Sequence, residues 1–217
     1  MTSTDLIDVD KLLIDTQNPR LDENTESQID AIKAIAVDQK EKIYNLGHDI
    51  VNHGINPSDF LIVTPNQNKK FIVLEGNRRL ATLKILENPN IIDSTITKSL
   101  LNKIKKLHLE YIKNPIAKLQ CTIFKNREEA DHWIELRHTG ENKGAGIVDW
   151  GATEKARFKQ RRSGKKETCL QILDYLQEQG VITPELRSKV PVTSFKRLLG
   201  CSLEIVLYFK ELFGFVR

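Results

Sequence analysis

Two short apolar runs, FLIV at 60–63 and FIVL at 71–74, constrain this chain most. They flank the turn-rich segment PNQNKK, and both are apolar at successive rather than alternate residues. That pattern predicts a pair of strands covered on both faces. The second run leads directly into Glu75, Gly76, Asn77, Arg78 and Arg79 and then into helical spacing from Leu80 to Leu86. Residues 71–84, FIVLEGNRRLATLK, therefore read as strand, glycine turn and basic helix start. A residue without Cβ lets backbone come close to a ligand. The first-turn amides of Asn77, Arg78 and Arg79 have no helical acceptor, and the helix dipole favours negative charge beside them. One arginine can fork onto a phosphate while the other pairs with an internal acid such as Glu75. The segment is expected to hold an anion, most simply nucleotide phosphates. The plainer alternative is a left-handed turn with two solvated arginines.

Around this unit the spacing predicts a strand at 6–14, a break at Asn18-Pro19, and a long helix over 26–46 that continues toward Gly54. Residues 91–115 read as an inserted helical piece. Residues 118–124, KLQCTIF, read as another strand, and Asn126 with Glu129 forms a capping pair for a helix at 127–138. A glycine-rich loop, HTGENKGAG, fills 138–146, and Asp149 is placed to cap a helix from Trp150 to about Arg162. Short helices with tight connections follow at 167–179, 184–189, 194–199 and 202–213, with Thr183-Pro184 as cap and first-turn proline. The expected fold class is α+β, a small mixed sheet with flanking helices followed by an all-helical domain. The expected division is 1–135, a joining loop and helix at 136–163, and 164–217. The last segment is apolar without polar closure, which reads as a fragment's end or as a helix packed on a partner.

Charge narrows the partners. Of 217 residues, 33 are Lys or Arg and 29 Asp or Glu, and RFKQRRSGKK at 157–166 concentrates the basic ones. That run either tracks a nucleic-acid backbone or is a solvated helix end. Residues 181–200 have the look of a short helix–turn–helix, with Lys196 and Arg197 as contacts; a bundle that mediates self-association is the other reading. Candidate DNA contacts are Arg157, Lys159, Arg161, Arg162, Lys165, Lys166, Lys196 and Arg197. Three cysteines far apart, with no CxxC, fit a reducing cytosol. The start of the sequence lacks the features of a secretory signal, and no run has the length of a membrane span. The five histidines do not share the spacing of a helical zinc pair, so zinc is not expected. Trp150 is expected to anchor the joining helix in the core, with base stacking as the alternative.

With these motifs in hand, a family resemblance emerges. EGNRRLATLK looks like the second box of the ParB/sulfiredoxin superfamily, roughly G-E-R-R-x-R-A. IDTQNPR, ending at Arg20, is similar to the first box; EKARF at 154–158 resembles the helix after the third. The likeness spans about residues 8–160, in the family's order. It implies a nucleotide-binding fold. ParB proteins bind CTP with Mg²⁺, clamp DNA and hydrolyse the nucleotide slowly; relatives bind or cleave ATP or GTP, and some are nucleases. Carried over by position, Arg20 reaches the triphosphate, and Gly76, Asn77, Arg78 and Arg79 form the phosphate turn. The third box falls within RHTGENKGAG, which nominates His138, Thr139, Gly140 and Asn142 for phosphate and Glu141 for Mg²⁺. The chain departs from the pattern at Asn77, Ala81 and Thr82. Sulfiredoxins carry their reactive cysteine where Asn77 stands, and an amide is no nucleophile, so reductase chemistry is excluded.

The resulting expectation is a cytoplasmic, nucleotide-gated DNA-binding or clamp protein, with homodimerisation left open. One alternative is a metal-dependent nuclease or slow NTPase in a mobile-element or phage-defence setting, using Glu75, Glu141 or Asp149. Another is an interaction module that has lost its ligand.

Overall fold

The computed structural model describes residues 2–21 and 25–201. It divides into two compact units, Met1–Thr139 and Gly140–Arg217. The helix expected at 202–213 lies outside the described residues. Among those described, no helix is long and apolar enough to cross a membrane.

The first unit is α+β. Its strands are β1 (Ser3–Asp8), β2 (Leu12–Ile14), β3 (Leu61–Pro65), β4 (Phe71–Glu75) and β5 (Lys118–Ile123). They form one mixed five-stranded sheet in the order β1-β5-β3-β4-β2. β1–β5 and β3–β4 pair antiparallel; β3–β5 and β2–β4 pair parallel. The strand expected over 6–14 is thus two strands, split by a single 3₁₀ turn at Val9–Lys11 and sent to opposite edges. A flat sheet of this size would hold its edges about 19 Å apart. Residues 8–12 span at most about 14 Å. The sheet must therefore curl toward a partly closed barrel.

Helices α1 (Gln28–Gln39), α2 (Glu41–His53), α3 (Asn77–Glu87) and α4 (Lys98–Tyr111) share one core with the sheet, built on Leu12, Ile14, Leu61, Val63, Leu80, Leu83 and Ile104. A smaller cluster, Ile62, Leu74, Phe124 and Ala130, carries α5 (Arg127–His138). Successive residues on β3 and β4 therefore feed different clusters, which is why both runs are apolar throughout. The register slips between Ile62 and Val63, so β4 accommodates one extra residue just before its glycine turn.

The helix expected over 26–46 is broken at Lys40, whose φ of 49° and ψ of −125° fit neither neighbour. Nothing in AVDQKEK signals that break. Packing supplies the reason: α1 and α2 both rest on α3. At Gly47 the second helix comes so near that an added Cβ would stand 3.2 Å from Leu107.

The second unit contains α6 (Ala152–Ser163), α7 (Thr168–Glu178), α8 (Pro184–Lys189) and α9 (Val192–Cys201) among the described residues. Ala156, Cys169, Leu170, Ile172, Val192 and Leu199 form its core. α6 begins two residues later than expected, capped by Gly151 rather than Asp149. Trp150 is not a core anchor: it is 53% exposed.

Candidate functional site

The strand–turn–helix is present as expected. Gly76 has φ 101° and ψ 12°, left-handed backbone that carries a steric cost for residues with a Cβ. Space makes the same demand, since a Cβ here would lie 2.8 Å from Leu61 Cγ. The first helical bond of α3 runs from Leu80 N to Gly76 O at 3.1 Å. The amides of Asn77, Arg78 and Arg79 precede it and are the free donors of a helix start.

Asn77 is buried, and its side chain faces inward. Its Oδ1 accepts from Asp15 N at 3.0 Å, and its Nδ2 donates to Leu74 O at 3.3 Å. The amide thus joins the end of β2 to the beginning of α3. Asp15, 3% exposed, accepts a two-pronged bond from Arg127, Nη1 to Oδ2 at 2.8 Å and Nη2 to Oδ1 at 2.7 Å. That bond, more than the nearby charge, raises the Arg127 pKa. Gln17 N donates to Asp15 Oδ1 as well, at 3.0 Å. A carboxylate so placed is tolerated because its oxygens are occupied.

Arg79 is an internal strut. Its side chain is 11% exposed; Nη2 lies 3.2 Å from Asp59 Oδ1, and Nη1 donates to Asp59 O. Burial lowers its pKa, and the charges of Asp59 and Glu75 act against that. Its acid is therefore Asp59 rather than the Glu75 anticipated. Arg137 also donates to Asp59 Oδ1, at 3.0 Å, so one carboxylate ties two arginines. Glu75 instead meets His138, Oε2 to Nε2 at 2.8 Å.

These groups border a cleft of about 730 Å³ in the first unit, within the range of small-molecule sites. Arg20, Gly76, Asn77, Arg78, Arg79 and His138 all line it. The apolar wall comes from Ile35, Leu46, Ile50, Ile55, Leu74 and Ile134. Arg78 is exposed, and the one polar contact of its guanidinium among the described residues is Gln39 Oε1 at 3.4 Å. Arg20 is exposed with no ion-pair partner there. Those two, with the turn amides, are the groups available to an anion. Carboxylates line the cleft too: Asp38, Asp49, Asp59, Glu75 and Glu135.

Thr139 closes α5, its hydroxyl donating to Glu135 O at 2.8 Å. Gly140, Glu141 and Asn142 belong to the second unit, where the amides of Gly144 and Gly146 both donate to Glu141 O. Among the described residues no group of three His, Cys, Asp or Glu side chains could hold a metal ion. The Cys121 thiol is buried and its pKa pushed up to about 12, so it is no nucleophile near neutral pH.

The basic candidates separate as well. Lys159 and Lys196 flank Glu167, at 3.6 and 3.3 Å, and Lys166 pairs with Asp174. Arg157, Arg161, Arg162, Lys165 and Arg197 are exposed with no ion-pair partner among the described residues.

Asp15, Asp59, Arg127 and Arg137 were not singled out from sequence. Arg127 had a signal: it opens α5, where the helix dipole disfavours a cation, so another duty was needed. Asp15, an acid directly after a buried strand, had one too.

No family model matches this chain, and none of the curated proteins compared with it does. Among solved structures, the C-terminally truncated chromosome-partitioning protein ParB from Caulobacter crescentus, complexed with CTP-γ-S, aligns over 97% of this chain and 99% of that one. The identity is 10% and the TM-score 0.43.

Proposed function

We propose that the first unit binds a nucleoside triphosphate, with its phosphates on the turn from Gly76 to Arg79. The observation that carries this reading is the cleft itself. A left-handed glycine delivers free first-turn amides to a cavity that Arg20 and Arg78 also line, while Arg79 and Asn77 are consumed in holding the turn rigid. Preset donors reduce the ordering that a ligand must impose. Of the phosphate candidates, Arg20 and Arg78 thus act directly, and Asn77 and Arg79 act by position. The motifs that resemble the ParB family make CTP with Mg²⁺ the first ligand to try. Mg²⁺ would travel on the phosphate oxygens, helped by one or two carboxylates, as it commonly does. In the finer reading, ligand in the cleft switches DNA binding by the second unit, through Arg157, Arg161, Arg162, Lys165 and Arg197.

The test is calorimetric titration of CTP, ATP, GTP and UTP with Mg²⁺. One nucleotide should bind, and Arg78→Ala should weaken it about tenfold or more, as for a lost charged hydrogen bond, without lowering the melting temperature. Absence of heat with every nucleotide would sink the proposal. A nuclease reading rests on no observation of comparable weight.

A further inference from the structure

The second unit bears an exposed surface that the nucleotide cleft does not use. Ile147, Val148, Trp150 and Phe158 are 57%, 58%, 53% and 41% exposed. The Trp150 and Phe158 rings lie 5.2 Å apart, tilted by 53°. The Arg161 guanidinium stands 5.2 Å from the Phe158 ring centre. On a helix, residues three and four apart share a face. Phe158 thus presents with Arg161 and Arg162, and Lys165 follows past the helix end. α6 carries five basic residues, Lys155, Arg157, Lys159, Arg161 and Arg162. Its one acid, Glu154, folds back over Gly151 at the helix start.

Isolated exposed apolar residues are ordinary. A pair of exposed rings continuous with unpaired arginines is a different composition. A duplex backbone would engage the arginines and leave the rings idle, because paired bases are already stacked. A protein partner of ordinary composition would cover the rings and leave the arginines without counter-charge. Unpaired bases on a phosphate chain satisfy both: bases stack on aromatic faces, and the phosphates run along the cations. We propose that Trp150, Phe158 and Arg161 form a stacking platform for single-stranded nucleic acid, with Arg157, Arg162 and Lys165 gripping its phosphates. This goes beyond the backbone contacts assigned to these cations above and needs no nucleotide in the cleft.

The experiment uses the full chain without added nucleotide, at low salt. Anisotropy is read on labelled oligo-dT, oligo-rU and a DNA duplex, each about 20 nucleotides long. The single strands should bind more tightly than the duplex; binding by either dT or rU alone supports the platform and identifies the strand. Trp150→Leu keeps apolar bulk but removes the π face. It should weaken single-strand binding about tenfold, while Trp150→Phe retains most of it. Arg157→Gln with Arg162→Gln should reduce the salt slope by about 1.4. If Trp150→Leu fails to fold, fluorescence of Trp150 in a Trp133→Phe background decides, with quenching by oligo-dT expected. The idea is overturned by equal affinity for duplex, by indifference to Trp150→Leu, by unquenched Trp150, or by no binding. It is also overturned if sedimentation shows that the rings hold a dimer while oligonucleotides leave the protein unchanged.

Discussion

Among the described residues, most of the ion-paired arginines lie in the first unit and most of the unpaired ones in the second, where Arg187 nonetheless bonds Asp174. In the first, Arg79, Arg127 and Arg137 each bond an aspartate and hold elements together. In the second, Arg157, Arg161 and Arg162 are exposed and carry no ion pair among the described residues. Among the described residues the first unit also has the larger core, in which Leu12, Val63, Leu80 and Leu83 are fully enclosed. The lesson is that a basic residue's neighbours, more than its place in a charged run, decide whether it is framework or contact. The run at 157–166 and the pair at 78–79 look alike in sequence, yet Arg79 is internal and Arg78 is not.

The sharpest way to break this contrast is to truncate both cores. Leu83→Ala removes a side chain with no exposure and should cost the first unit about 3–5 kcal/mol. Ile172→Ala in the thinner second core should cost about 2–3 kcal/mol. Hydrogen exchange, read separately for each unit, checks both. Equal loss of protection in both units from either change would mean that the division is wrong. Next comes Gly76→Ala, which meets unfavourable φ and the Leu61 contact together. It should destabilise the first unit by about 3 kcal/mol in urea melts and abolish nucleotide binding. An unaltered midpoint would show that the turn is not the rigid element described. The smallest effect is Lys40→Gly: relieving a positive φ should stabilise the first unit by about 1 kcal/mol, raising its melting temperature by several degrees.

Much of the first unit was legible. The strands at 61–65 and 71–75, the cap at Asn126, and the Gly76 turn all follow from local chemistry. What escaped was non-local. The break at Lys40 arises from packing on α3, not from AVDQKEK. The split of 6–14 arises because its first part pairs with β5 and its second with β4, at opposite edges of the sheet. The Asp15–Arg127 pair joins residues 112 apart, a distance no window can span. Arg20, Arg78 and His138, far apart in sequence, line one cleft. The roles of Asn77 and Arg79 came only from their partners. Trp150 is 53% exposed although an aromatic's bulk favours burial on average, and nothing in its neighbouring sequence reports that exposure.

The strand order has a consequence for how the chain is made. β5 enters between β1 and β3, so Asp8 cannot meet its partner until Lys118 has been synthesised. At ordinary translation speed that interval is roughly 5–20 s. In the part of it that follows the synthesis of Glu75, the β3–β4 hairpin and its parallel neighbour β2 stand complete with the β3 edge open, bearing the apolar run Leu61, Ile62 and Val63. Open apolar edges are where chains pair with the wrong partner. A ribosome that pauses before residue 118 would therefore hold this protein at its most aggregation-prone length, and one that passes it lets a single strand close the sheet.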